Sequence, residues 1–85
     1  MDPYQIIKHP LSTEKSIRLM ESENKMVFVV DMKANAREIK KSVEEIFNAK
    51  VSKVNTFIVN GQKRAYVKFS LEKPAIDIAT QLGLI

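Results

Sequence analysis

The sequence predicts an α+β domain, a four-stranded and mainly antiparallel sheet packed with helices in the order β-α-β-α-β-β-α. Three observations predict it. Met26 to Val30 is an unbroken apolar run rich in β-branched and aromatic residues, which suits a central strand covered on both faces. Asn35, with Glu38 three residues on, resembles a capping box ahead of an amphipathic helix. Asn60-Gly61 separates two strand-like segments and is the strongest short hairpin signal a sequence can carry.

The elements follow in chain order. Tyr4, Ile6 and Ile7 supply a short apolar piece, read as a first strand that Pro10 ends. Ser12 and Thr13 offer N-cap hydroxyls, and Glu14 falls in the first turn, where the helix dipole favours an anion. Ile17 and Met20 give a thin stripe for a short helix to about Ser22, with Asn24 and Lys25 as its break. Ala36, Ile39, Val43, Ile46 and Phe47 then fall at helical spacing, with Asn48 at the helix end. Val51–Val59 and Gln62–Leu71 are the arms of the hairpin. Pro74 and Gly83 bracket a last helix that carries Ala75, Ile78, Ala79 and Leu82.

Composition bounds the chemistry. Eighty-five residues, 45% hydrophobic and 28% charged, read as one small domain spanning residues 1–85, near the lower end of what folds alone. Without cysteine there is neither a disulfide framework nor a thiolate metal site, and one histidine excludes a multi-histidine cluster. No apolar run reaches the length of a membrane span, so a cytoplasmic chain with no membrane insertion is expected. Two glycines leave no glycine-rich phosphate loop. Adjacent Glu44 and Glu45 diverge on their helix and read as solvated charges. His9 has no neighbouring carboxylate to orient it. The expectation is no enzyme, no cofactor, no metal and no small-molecule substrate.

The charge of +4 is unevenly spread. Basic and acidic residues cancel over positions 1–45, while positions 46–71 hold Lys50, Lys53, Lys63, Arg64 and Lys68 with no acid at all. A purely basic stretch beside a neutral half points to a polyanion-facing surface. A two-residue turn fixes register, so Phe57 should oppose Arg64, Asn55 should oppose Tyr66, and Lys53 should oppose Lys68 on one face. Val54, Thr56, Ala65, Val67, Phe69 and Leu71 belong to the other, core face.

The first face carries what RNA binding needs. Cations neutralise phosphates, rings stack on bases, and an amide reads edges or 2′-hydroxyls. Lys53 against Lys68 is unfavourable by itself and is relieved by a polyanion. The plainer alternative is a solvated face with a Phe57–Arg64 cation–π contact worth about 0.5–1 kcal/mol. Lys8, His9 and Lys15 surround the first strand-to-helix turn, where free backbone N–H groups also favour phosphate.

These residues resemble a known family, the large-subunit ribosomal protein numbered twenty-three, in its archaeal form. The resemblance is carried by Pro10-Leu11-Ser12-Thr13-Glu14-Lys15, by Asn48-Ala49-Lys50-Val51 leading into Val54-Asn55-Thr56, by Lys63-Arg64-Ala65-Tyr66-Val67-Lys68, and by Leu82-Gly83. It implies a ribosome-bound protein that binds large-subunit rRNA beside neighbouring ribosomal proteins, near the tunnel exit. It also implies docking of tunnel-exit factors such as the signal recognition particle, with Glu14 as the matching contact and Ser12 and Thr13 beside it. Bacterial members carry a long hairpin extension into the tunnel, whereas this hairpin closes at Asn60-Gly61. The alternative expectation is a free-standing single-stranded RNA-binding module, which displays aromatics on two neighbouring central strands.

Overall fold

The computed structural model describes residues 2–72 and 74–83. Its elements are α1 (Pro3–Ile6), β1 (Ile7–Pro10), α2 (Glu14–Glu23), β2 (Lys25–Val30), α3 (Ala36–Phe47), β3 (Val51–Val59), β4 (Gln62–Phe69) and α4 (Ala75–Gln81). The four strands form one sheet in the order β1-β2-β4-β3, with every neighbouring pair antiparallel. The α+β class and the strand and helix order expected from the sequence are present, with one addition.

The addition is α1. Asp2 accepts the Tyr4 N–H, Gln5 reaches back toward the Asp2 N–H, and Pro3 fills the first helical turn. This one-turn helix buries Ile6 and packs on α3, and the first strand starts only at Ile7. Pro10 ends the strand as expected.

Local chemistry explains the other boundaries. Thr13 caps α2 in a reciprocal pair: its hydroxyl accepts the Ser16 N–H at 3.2 Å, and Ser16 Oγ accepts the Thr13 N–H at 2.8 Å. Asn35 and Glu38 make the expected capping box on α3. Asn24 and Asn48 end α2 and α3 in the left-handed conformation, which asparagine tolerates better than most side chains. Asn60 and Gly61 both have positive φ, 50° and 74°, as a type I′ hairpin turn requires.

The core lies on one face of the sheet. Met26, Phe28 and Val30 of β2, Ala65, Val67 and Phe69 of β4, and Val51 of β3 are buried there. Ile39 and Val43 of α3 and Ala75, Ile78 and Ala79 of α4 close over them. Phe28 stacks on Phe47 with ring centroids 5.7 Å apart. Burying each large side chain contributes about 1.5–3 kcal/mol.

Three expectations are corrected. Leu71 is 90% exposed, because β4 ends at Phe69 and the chain turns away. There the Asn24 amide donates to the carbonyls of Phe69 and Ser70. Leu82 lies past the last turn of α4 and is partly exposed, so it adds little to the core. Glu44 is not simply solvated, since its carboxylate accepts the Val51 N–H at 3.1 Å and ties α3 to the start of β3.

Candidate nucleic-acid interface

The hairpin register is the expected one: Val59 opposes Gln62, Phe57 opposes Arg64, Asn55 opposes Tyr66, and Lys53 opposes Lys68. A register shift between Val51 and Lys53 leaves this alternation intact beyond it. Directly opposite residues of an antiparallel pair point to the same face. The face away from the core therefore carries Lys53, Asn55, Phe57, Arg64, Tyr66 and Lys68 together.

The partner of β4 on its other side extends this face. β2 pairs with β4 so that Lys25 opposes Lys68, Val27 opposes Tyr66, and Val29 opposes Arg64. Three transverse rows result. Lys25, Lys68 and Lys53 form one across three strands. Val27, Tyr66 and Asn55 form the next. His9, Val29, Arg64 and Phe57 form the third, which crosses all four strands. In the sequence Lys25 reads only as the break after a helix. Aligning the Met26–Val30 run against the hairpin is the signal that places it on this face.

Val27 and Val29 are buried although they point away from the core cluster. Helix α2 packs against β2 on this side. Val27 shares a cleft with Leu11, Thr13, Ser16 and Leu19. The central strand is thus covered on both faces, as its apolar run predicts, with α2 as the outer cover.

Between α2 and the hairpin runs an open groove of about 500 Å³ lined by Lys15, Leu19, Lys25, Asn55, Phe57 and Tyr66 among others. Lys15 and Leu19 stand four apart, on one strip of the helix. Chain position groups Lys15 with Lys8 and His9 in an N-terminal cluster, whereas the fold brings it onto the hairpin face. Phe57 and Tyr66 meet edge to face, centroids 5.3 Å apart at 84°. Arg64 donates from Nε to the Gln62 side chain at 2.9 Å, so the partner of the Phe57 ring is Tyr66. Lys25 pairs with Glu23 at 3.2 Å.

The remaining expected residues lie elsewhere. His9 is exposed at the β1 end of the third row, and its Nδ1 lies 3.3 Å from the Pro10 carbonyl oxygen. Lys8 is exposed where the β1–β2 register shifts, on the sheet edge opposite Lys53. Ser12 and Thr13 lead into α2, with the Thr13 hydroxyl engaged in capping. Glu14 is exposed and paired with Arg18 at 2.7 Å, on a strip of α2 beside the one that Lys15 and Leu19 occupy. Lys63 alternates onto the core side of β4, opposite Val30, and its ammonium donates to the Ala34 carbonyl in the β2–α3 loop at 2.6 Å.

Among the described residues no group of three or more His, Cys, Asp or Glu could hold a metal ion. No described helix is long and apolar enough to cross a membrane. The face can neutralise phosphates, stack on flat rings and offer amide hydrogen bonds. In a comparison with family models, the model described as Ribosomal protein L23 matches residues 5–80. The chain belongs to this family of structural, non-enzymatic proteins, which makes it an rRNA-binding constituent of the large ribosomal subunit.

Proposed function

We propose that the outer sheet face is the rRNA contact, that the protein sits beside the tunnel exit, and that the Ser12-Thr13-Glu14 turn docks targeting or folding factors. The row Lys25, Lys68 and Lys53 carries the first part. Like charges directly opposite one another on a ladder are destabilising, by a fraction of a kcal/mol up to about 1 kcal/mol. A phosphate backbone laid along the row turns that cost into attraction and releases counterions. Arg64 continues the positive face along the third row, which ends at the His9 ring, Lys15 adds to it from α2, and Lys8 lies at the far edge.

The docking role of the Ser12-Thr13-Glu14 turn rests on position. Glu14 is exposed outside the groove lining, on a strip of α2 adjacent to the cationic one. A carboxylate repels phosphate and attracts a basic protein surface, so one short helix can serve two partners on two strips. The free-standing RNA-recognition reading fits less well. Such modules present open aromatics on neighbouring central strands, whereas Phe57 is on edge strand β3.

Replacing Lys53 and Lys68 together with alanine tests the RNA face. Filter binding to large-subunit rRNA should show weaker affinity, with the slope of log affinity against log salt reduced by about 0.7–0.9 for each phosphate no longer neutralised. Thermal stability should hold or rise slightly. An unchanged affinity and slope would remove the assignment.

A further inference from the structure

We propose that the groove between α2 and the hairpin receives one unpaired nucleotide of the RNA, held by its base. This deepens the RNA-binding reading of the outer face and rests on it. The groove differs from the rest of the face in kind. Leu19 supplies one apolar side wall, and Phe57 and Tyr66 supply the other. An edge-to-face ring pair covers at most one face of one ring, and Phe57 remains 54% exposed. A flat third group can therefore stack there, and base–aromatic stacking does not depend on which base is presented.

Polar groups stand where a base edge would reach. Asn55 is half-buried between the rings and the lysine row, and its amide has no hydrogen-bond partner among the described residues. The Tyr66 hydroxyl is equally unengaged there. An amide offers both a donor and an acceptor, the pairing that base edges use. Lys15 and Lys25 also line the groove, and Lys68 and Lys53 continue the row from Lys25. Phosphates on either side of an inserted base would lie on these cations, with Lys25 exchanging Glu23 for a phosphate.

Size and shape select the ligand form. About 500 Å³ is the scale of a small-ligand site. A duplex presents its 2′-hydroxyls and phosphates over a broad surface, and its bases cannot enter such a groove while paired. An unpaired loop or bulge nucleotide can, because its base is free to be splayed out and stacked.

The test combines filter binding of the intact chain to large-subunit rRNA with base-specific chemical probing of each complex at saturating protein. Leu19→Trp fills the groove and removes no cation. It should weaken binding by about 5- to 150-fold, the range set by the loss of one base stack, and leave the salt slope unchanged. One unpaired nucleotide should lose its base-edge protection while backbone protections persist. Asn55→Ala, which leaves the core untouched, should abolish the same base-edge protection and decides the matter should Leu19→Trp fail to fold. Base protections identical to wild type in the folded variants would overturn the inference. If that result accompanies a reduced salt slope in the Lys53→Ala, Lys68→Ala double variant, the face binds RNA with the groove empty. If the slope is also unchanged, the RNA-binding reading of the face falls with it.

Discussion

The two faces of β4 divide the work of the molecule residue by residue. Ala65, Val67 and Phe69 are at most 1% exposed, in contact with the core, while Arg64, Tyr66 and Lys68 alternate with them on the outer face. The period of two in a strand makes this possible. One eight-residue segment holds the fold together and presents the cationic face, with no residue asked to do both. The contrast teaches that stability and RNA affinity should be separable by mutation along a single strand. That separation can be pressed from either face.

The largest effect belongs to the core side. Phe69 is 1% exposed and packs between the sheet and the helices. Phe69→Ala should cost about 3–5 kcal/mol, a large share of the roughly 5–15 kcal/mol that a domain commands. Urea denaturation measures it. The folded fraction should keep the wild-type salt dependence for RNA. A changed slope in folded protein would mean that the two faces are coupled.

Asn24 is the next test, because it joins three elements. Its amide donates to the carbonyls of Phe69 and Ser70 at 3.0 and 3.2 Å, and its oxygen accepts the Ala75 N–H at 2.6 Å. Its φ is +57°. Asn24→Ala should destabilise by about 1–3 kcal/mol through the groups left unpaired, with a further cost for alanine at positive φ. Asn24→Gly loses the same bonds without that strain and should melt at a higher temperature than the alanine variant. Equal melting temperatures would remove the conformational part of the argument.

The same division explains what is legible in the sequence. The hairpin register is legible because Asn60-Gly61 fixes it locally, and α3 is legible because its cap and apolar stripe agree. Leu71 escapes the pattern because strand alternation says nothing about where a strand stops. Here the stop depends on Asn24, 45 residues from Phe69 in sequence. Helix α1 is too short to show periodicity, yet Asp2, Pro3 and Gln5 do spell a start signal. The lysine row is half legible: Lys53 and Lys68 follow from the turn, whereas Lys25 joins them only through the long-range pairing of β2 with β4. Lys15 reaches the groove only because α2 packs on the outer side of β2.

Lys15 measures how far the cationic face extends beyond the sheet. It is exposed and lines the groove, so it should be protected from acylation in the RNA complex and labelled freely in the unbound protein. Lys15→Ala should lower the salt slope by about 0.7–0.9, the value of one neutralised phosphate, and leave stability near wild type. Equal labelling in free and bound protein would confine the RNA contact to the strands.

The smallest effect on folding and RNA should come from Glu14, and there the comparison is sharpest. Glu14 and Lys15 are sequence neighbours about 100° apart around the helix. One pairs with Arg18 in solvent and the other lines the groove. The Glu14–Arg18 pair is an exposed i, i+4 contact, with side chains 82% and 76% accessible, and such pairs add about 0.3–0.5 kcal/mol. Glu14→Ala should therefore barely move the melting temperature, should leave the salt slope alone, and should permit normal incorporation into the large subunit. Its effect should fall on the docking of a targeting factor, measured as affinity for matched wild-type and mutant ribosomes. Arg18→Ala supplies the opposite arm: it frees the same carboxylate from its neighbour, so a basic factor surface should bind at least as tightly as to wild type. Equal factor affinity on wild-type and Glu14→Ala ribosomes would make Glu14 a helix-start charge and leave α2 with a single functional strip, the one carrying Lys15.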